Sequence, residues 1–210
     1  EIFSFSKKVQ TKILKEESYD PLTTEILTAC WPAPSSSKPH SVPILNDKVK
    51  EGPTAMMSFL RVNGYSEECE RTIFIKKPSS EIQEIFNHMN EARKKAFNVL
   101  KPGISCSDID YIANKYLIEN GYKKYLLHRT GHGIGLGNHE GPWISEGSED
   151  ILKENMVISI EPAIYIPEIG GFRHSDTVLI TENGYECLTK YPTDLEKLVI
   201  KKSSLSKKLK

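Results

Sequence analysis

The stretch HRTGHGIGLGNHE, residues 128–140, constrains the fold more than any other part of the sequence. Glycine occupies every second position in its middle, and each glycine inside a helix costs about 1 kcal/mol relative to alanine. The stretch is therefore predicted to be extended. Because alternate side chains of a strand point to opposite faces, the glycines leave one face bare while His132, Ile134 and Leu136 project from the other. We expect backbone or a ligand to pack closely against the bare face.

Two common motifs do not fit this stretch. A dinucleotide-binding loop requires G-x-G-x-x-G between a strand and a helix, but Asn138 occupies the last glycine position and no helical pattern follows. A zincin site requires two histidines on one helical face, which the glycines exclude for His128 and His132. A histidine beside bare backbone is typical of a functional site, and it also occurs as a structural residue on a crowded strand.

The composition argues against several classes of protein. Lysine plus arginine and aspartate plus glutamate balance at 28 each, so no net field attracts nucleic acid, a membrane or a strongly acidic partner. No apolar run approaches the roughly 20 residues that cross a membrane. The cysteines have neither metal-binding nor disulfide-framework spacing, which favours a reducing, cytoplasmic location; they are Cys30, Cys69, Cys106 and Cys187.

Helical periodicity and strand-like composition indicate a single α+β domain over residues 1–200. Amphipathic helices are predicted at 81–100 and from Ser107, as the capping residue, to Asn120. Segments rich in β-branched and aromatic residues predict strands at 54–62, 70–75, 156–166, 171–181 and 185–189.

Other segments are predicted to lack regular structure. The prolines within 31–43 exclude a helix, so this segment is expected to be an exposed or site-lining loop. The basic end, 201–210, is predicted to be a disordered tail. Because the first residue is Glu rather than Met, the native chain is expected to start upstream.

Glu161 is a lone carboxylate in the otherwise apolar segment MVISIEPAIYI. Burial of an unpaired carboxylate costs several kcal/mol, so Glu161 requires a metal ion, a cation or a protonated partner. Pro162 follows it and limits the hydrogen-bond pairing of the strand at that point. Together with His132, this residue indicates a functional site.

These motifs together resemble the catalytic domain of the methionine aminopeptidase, Xaa-Pro dipeptidase and creatinase superfamily. The resemblance implies a pita-bread fold of curved antiparallel sheets covered by helices, and it implies a homodimer. The separate N-terminal domain of prolidases and creatinase is absent from this sequence, so we expect a catalytic-domain fragment or one piece of a larger protein. The resemblance runs in order from about residue 40 to 198 and is carried by PHSVP, TGHGIGLGNHEGPWISEG, ENMVISIEPAIYIP, GGFRHSDTVLITENGYECLT and LTKYPTDLEKL.

The superfamily's metallopeptidases hold two divalent ions with two aspartates, one histidine and two glutamates. By position, the resemblance assigns the histidine to His132 and the first glutamate to Glu161, and it places Glu68 at the second aspartate. Met57 and Ser175 occupy the remaining two positions. A dinuclear centre is therefore not expected. Our first expectation is no cofactor, and the alternative is one Zn, Mn or Co ion held by Glu68, His132 and Glu161.

The sequence is similar to creatinase where it departs from the peptidases. Creatinase cleaves a carbon–nitrogen bond without metal, using a histidine of the PH loop and glutamates that hold a guanidinium group. His40 matches that histidine, and Glu70 and Glu161 match the glutamates. If 68–72 is extended, Glu68 lies on the same face as Glu70. Creatinase has a histidine where Ser175 stands, so the resemblance does not identify the substrate.

The resulting hypothesis is a hydrolase that cleaves a C–N bond of a small peptide or of a guanidino or amide substrate. His40 would act as general base and then as general acid. Predicted catalytic residues are His40, His132, His139 and Glu161, and predicted substrate-binding residues are Glu68, Glu70 and Ser175. Arg173 and Asp176 are expected to form a structural ion pair instead.

Two alternatives remain beside this hypothesis. The chain can be a metal-dependent Xaa-Pro dipeptidase or aminopeptidase with an atypical ligand set, which the overall resemblance favours and the ligand positions oppose. It can also be a catalytically silent module that binds peptides or proteins. The loss of metal ligands at two positions favours a binding module. The presence of His40, His132, His139 and Glu161 argues against it.

Overall fold

The computed structural model describes residues 2–16, 19–44 and 47–200, and the tail 201–210 predicted to be disordered lies outside them. The described residues form an α+β architecture, as the sequence predicts. In chain order the elements are α1 (Ile2–Glu16), β1 (Glu25–Trp31), β2 (Thr54–Val62), β3 (Tyr65–Ile73), α2 (Ser80–Phe97), α3 (Cys106–Glu119), β4 (Gly131–Gly133), β5 (Glu140–Ile144), β6 (Val157–Ile160), β7 (Ala163–Ile166), β8 (Gly170–Arg173), β9 (Ser175–Thr181), β10 (Gly184–Cys187) and α4 (Leu195–Leu198).

A curled antiparallel sheet organises these elements. Its strands follow the order β1-β2-β3-β9-β6-β4-β5, and β10 also pairs with β9. Strand β9 is central because it pairs with β3, β6 and β10. β7 and β8 form a separate two-stranded antiparallel sheet.

Helices α2 and α3 cover the sheets through two groups of buried apolar side chains. One group joins the end of α2 and the inner face of α3 to β5, β6 and β9, with Ile109, Ile158 and Val178 at its centre. The other joins α2 to β7 and β8 through Met89 and Phe172. None of the described helices has the length and apolarity that a membrane crossing requires.

The predicted helices are confirmed with small shifts of their ends. The first spans Ser80–Phe97 and is capped by Ser79. The second begins at Cys106, because its capping residue is Ser105, two positions before the predicted Ser107. The hydroxyl of Ser107 instead accepts a hydrogen bond from the backbone N–H of Gly147, at 3.2 Å.

Two predicted strands are each divided in the structure. The segment 156–166 breaks after Ile160, because Pro162 has no N–H and the chain leaves the large sheet for β7. The segment 171–181 breaks at His174, where the chain passes from β8 back into the large sheet. Both breaks occur where the two sheets meet, and that meeting point is a property of the tertiary fold.

The predicted strand at 54–62 is confirmed as β2, and other elements differ from the sequence prediction in extent. β3 begins at Tyr65 and not at residue 70, so Glu68 and Glu70 both lie on it. β10 begins one residue before the predicted strand 185–189 and ends two residues before its end. Helix α1 and strand β1 were not predicted from the sequence. The loop 31–43 has no regular helix beyond a short 3-10 turn at Ser35–Ser37, as expected.

Asp176 links the sheet to α2 through two buried ion pairs. Its carboxylate contacts the guanidinium groups of Arg71 on β3 and Arg93 on α2, each at 2.6 Å. The predicted pair of Asp176 with Arg173 is therefore wrong. Side chains an odd number of positions apart point to opposite sides of extended backbone, so Asp176 faces α2 while Arg173 faces the other side.

The burial of His174 makes folding pH-dependent. Burial and the nearby guanidinium groups of Arg71 and Arg93 lower the pKa of His174 to about 3, whereas an imidazole in the unfolded chain has a pKa of about 6.5. Below the unfolded value the unfolded chain binds a proton that the folded chain does not bind. The contribution of His174 to stability is thus complete above about pH 6.5 and is lost as the pH falls toward 3.

We predict that, because of His174, the free energy of unfolding falls by about 1.4 kcal/mol for each unit by which the pH is lowered between about pH 6 and pH 4. The variant His174→Gln is expected to lose this part of the slope and keep the part that comes from other groups. Urea titrations of both proteins across that interval measure the difference. Equal slopes in the two proteins would contradict the assignment.

Candidate active site

A cavity of about 150 Å³ opens between the loop after β1 and the sheets. It contains His40, His139, Glu68, Glu70 and Glu161 among the residues predicted to form a site. The other lining residues are mainly apolar, aromatic or small; they are Trp31, Ser36, Lys38, Pro39, Ser41, Ala55, Met57, Phe59, Tyr165, Gly171 and Arg173.

The alternating glycines position His132 at the base of this site. A Cβ atom on Gly131 would lie 2.0 Å from the carbonyl oxygen of Ser159, and one on Gly133 would lie 2.1 Å from that of Gly141. Both distances are far below van der Waals contact, so only glycine permits β5 and β6 to pack on either side of β4. The predicted close approach of backbone is confirmed.

Of the three side chains predicted to project from one face of the extended stretch, His132, Ile134 and Leu136, only the first two are buried. His132 is fully buried, and Ile134 is 3% exposed. Leu136 is 67% exposed, because β4 ends at Gly133 and the chain turns to the surface before residue 136. The prediction that Leu136 shares the inward face of His132 is therefore wrong.

One ring nitrogen of His132 is buried without a hydrogen-bond partner. Its Nδ1 lies 2.9 Å from the carbonyl oxygen of Gly133 and donates to it. Its Nε2 has no partner and lies 3.4 Å from Oε1 of Glu161 and 3.7 Å from Oε1 of Glu68. Burial lowers the pKa of His132, but the two carboxylates outweigh this effect and the pKa is raised.

Glu68 is held by two serine hydroxyls. Ser159 on β6 and Ser175 on β9 both donate to its Oε1, and their own oxygens lie 2.9 Å apart. Burial raises the pKa of Glu68, as does the nearby carboxylate of Glu161, although His132 and the hydroxyls act in the opposite direction. Ser175 therefore contacts Glu68 directly.

Arg173 lies between Glu70 and Glu161. Its Nε donates to Oε2 of Glu70 at 2.6 Å, and a second guanidinium nitrogen contacts the same oxygen. Its third nitrogen lies 3.7 Å from Oε2 of Glu161. Burial raises the pKa of Glu161, but the adjacent His132 and Arg173 lower it to about 2. Burial raises the pKa of Glu70, only partly offset by Arg173.

Three further imidazole rings lie close together near the cavity, and two of them, His40 and His139, line it. The ring centroid of His139 lies 4.2 Å from that of His132 and 6.3 Å from that of His40. His128 lies 6.1 Å from His40 and is hydrogen-bonded to the hydroxyl of Tyr165 at 2.8 Å. Burial is the main cause that lowers the pKa of His40, and it lowers the pKa of His128 and of His139 to about 4.

Sequence reasoning did not find every residue that contacts this group. Ser159 stands two positions before Glu161, and Arg173 stands two before Ser175, so a face of period two could have indicated both. Tyr165 carried no such signal, because its position follows the break between β6 and β7.

The donor set fits one divalent ion. Among the described residues, Glu68, His132 and His139 each offer one ligand atom within 4.8 Å of the others. The unpartnered Nε2 of His132 points at two carboxylates, and mixed imidazole and carboxylate donors suit Zn, Mn or Co. Of the positions that the resemblance assigns to the other ligands, Met57 offers no carboxylate, and the hydroxyl of Ser175 donates to Glu68.

Comparison with known proteins identifies the family of this chain. The model of metallopeptidase family M24 matches residues 5–182. The chain belongs to this family. M24 membership confirms the superfamily resemblance and the pita-bread fold that it implies. The creatinase-like ligand set stays a prediction.

Individual M24 relatives include several prolidases. An Xaa-Pro dipeptidase of Pyrococcus furiosus is 42% identical over 161 residues, which cover 76% of this chain and 46% of the relative. The structure of a prolidase from Pyrococcus horikoshii OT3 matches with a TM-score of 0.82 and 35% identity, over 92% of this chain and 55% of that one. The structure of an Xaa-Pro dipeptidase from Bacillus anthracis matches with a TM-score of 0.79 and 31% identity, over 95% of this chain and 55% of that one. The chain thus spans about half the length of these relatives.

A short hydrogen-bonded path connects α3 to Glu161. The carboxylate of Asp110, which is buried on α3, accepts from the backbone N–H of Thr130 at 2.9 Å. The carbonyl of Thr130 in turn accepts from the N–H of Glu161 at 2.7 Å. Asp110 therefore fixes the backbone to which Glu161 is bonded.

We predict that Asp110→Ala lowers the free energy of unfolding by about 1–3 kcal/mol, because it leaves the N–H of Thr130 buried without an acceptor. Asp110→Asn retains an oxygen at that place and is the matched control, for which most of the stability should remain. Guanidinium titrations of the three proteins compare these values. If alanine and asparagine have the same effect, the hydrogen bond is not the cause.

Proposed function

We propose that this chain is the catalytic domain of a hydrolase that cleaves the C–N bond of small Xaa-Pro peptides with the help of one divalent ion. The single observation that carries the proposal is the buried, unpartnered Nε2 of His132, which faces the carboxylates of Glu68 and Glu161. A buried nitrogen without a partner loses the free energy of a hydrogen bond, and a metal ion would recover it. The names of the similar dipeptidases support the class of substrate.

Glu68 and His132 would hold the ion together with Glu161 or His139. When bound, such an ion polarises a carbonyl group and lowers the pKa of water. Ser159 and Ser175 keep the carboxylate of Glu68 in one orientation by donating to the same oxygen. Preorganised ligands of this kind need no rearrangement when the substrate arrives.

His40 would transfer the protons of the reaction. It lies at the mouth of the cavity, with the rings of His128 and His139 about 6 Å away. From there its imidazole can take a proton from water and return it to the leaving nitrogen. The aromatic and apolar wall formed by Trp31 and Phe59 would exclude water and accept the side chains of a small peptide.

The structure gives less support to metal-free hydrolysis of a guanidino or amide substrate. That alternative needs Glu70 and Glu161 to hold a cationic group of the substrate. Glu70 already binds the guanidinium of Arg173, which also lies 3.7 Å from Glu161. The cytoplasmic location, the homodimer and the single domain over residues 1–200 stay predictions from the sequence.

We predict that a chelator abolishes hydrolysis of Xaa-Pro dipeptides and that Mn²⁺, Co²⁺ or Zn²⁺ restores it. His132→Ala should lower kcat/KM by at least about 100-fold, equivalent to about 2.7 kcal/mol of transition-state stabilisation. His88→Ala is the matched control, because His88 lies on α2 and contacts Tyr116 outside the cavity. Turnover that persists with chelator, on guanidino compounds, would instead favour the metal-free alternative.

We further predict that Glu161→Gln strongly lowers activity while the protein stays folded. The substitution keeps the size of the side chain and removes the negative charge that faces His132 and Arg173. Steady-state kinetics and circular dichroism on the same preparation test the two parts. If this variant has wild-type activity, Glu161 has no role in the mechanism. If the wild-type protein itself cleaves no peptide, the alternative of a catalytically silent binding module is favoured.

A further inference from the structure

Arg173 lies in the cavity wall, where its guanidinium contacts the carboxylates of both Glu70 and Glu161. The residue is 7% exposed. Glu161 directs one oxygen toward His132 and the other toward Arg173. A cation in the cavity therefore shares Glu161 with a guanidinium that belongs to the protein.

The strand register explains why this guanidinium is held so firmly. Glu70 on β3 is directly opposite Met57 on β2 and directly opposite Ser175 on β9. Neither neighbour carries a charge, so Glu70 is the sole carboxylate among these three adjacent positions. Its Oε2 accepts a hydrogen bond from Nε of Arg173 and also contacts a second guanidinium nitrogen, and a charge-assisted pair of this type is strong.

The buried charges of the cavity match one divalent ion. With a cation bound, the ionised carboxylates of Glu68, Glu70 and Glu161 would contribute three negative charges, and Arg173 would contribute one positive charge. Two negative charges remain, because His132 must be neutral to act as a ligand. Uncompensated buried charge costs several kcal/mol, so an ion of charge two is the cation that the site accommodates best.

We infer that Arg173 is the resident cation of this cavity and that its pair with Glu70 limits the site to one divalent ion. The inference rests on the proposed function, because it concerns the same ion. It adds that Glu70 is not available to a substrate cation or to a second metal ion. Arg173 and Glu70 act through charge and orientation, and we assign them a positioning role.

The charge balance can be tested by titrating metal-free protein with Mn²⁺ alone in a calorimeter. The wild-type protein should bind one ion. Glu70→Gln releases Arg173 to compete for Glu161, so the affinity should fall by about 10- to 100-fold. The double variant Glu70→Gln with Arg173→Met removes both charges together, and its affinity should return to within about threefold of the wild-type value.

The single variant Arg173→Met completes the double-mutant cycle. It should bind Mn²⁺ more tightly than the wild type or bind a second ion. If Glu70 and Arg173 had only a structural role, the variants would have lower melting temperatures, and the affinity for Mn²⁺ would not recover in the double variant. Circular dichroism checks that each variant is folded. If Arg173→Met alone does not fold, the comparison of Glu70→Gln with the double variant still tests the inference.

Three results would overturn the inference. They are two bound ions in the wild type, no recovery in the double variant, and no Mn²⁺ binding by any of the four proteins. Peptide hydrolysis is measured separately on the same preparations. If Mn²⁺ binding follows the expected order and no peptide is cleaved, the proposed function fails while the role of Arg173 stands. If peptides are cleaved with two ions bound, the role of Arg173 fails and so does the single-ion part of the proposed function, while the peptidase activity stands.

Discussion

A buried carboxylate is stable as an anion only where a cation or several hydrogen-bond donors face it, and three buried glutamates border this one cavity. Each glutamate is compensated in a different way. Glu70 binds Arg173, Glu68 accepts from two serine hydroxyls, and Glu161 lies between His132 and Arg173. The raised pKa values of Glu68 and Glu70 and the lowered pKa of Glu161 follow from these different surroundings.

The backbone around the cavity is as constrained as its charges. Glycines at 131 and 133 allow three strands to approach so closely that no side chain fits between them. His132 is thereby held between β5 and β6, with its unpartnered nitrogen directed at the carboxylates. On the opposite side, the path from Asp110 through Thr130 fixes the backbone of Glu161. Ligand positions set by packed strands are more precise than positions set by loops.

Membership of metallopeptidase family M24 explains the fold but not the composition of the site. Met57 and Ser175 lack the carboxylates that the superfamily resemblance leads one to expect at their positions. In the structure these positions are the cross-strand neighbours of Glu70, so acidic character is shifted from the outer positions to the middle strand. Glu70 therefore supplies a carboxylate between two neighbouring positions that lack one.

Much of this protein is determined by local sequence patterns. The periodicity of 81–100 and of the following segment determined two helices, and the alternating glycines excluded a helix around His132. The resemblance to the superfamily indicated Glu161, Glu68 and His40 as members of one site, and all three line one cavity in the structure. The helices and the extended glycine stretch depend on residues close together in the chain, where propensity, spacing and alternation act directly.

Only the tertiary structure decided which charged groups meet. Arg173 is three residues from Asp176, yet it binds Glu70, which is more than one hundred residues away in the chain. The divisions of two predicted strands at Pro162 and His174, and the donation of Ser159 to Glu68, likewise depend on how the two sheets meet. The physical reason is that cross-strand register and side-chain ion pairs are set by contacts between distant segments. No local pattern in the sequence contains that information.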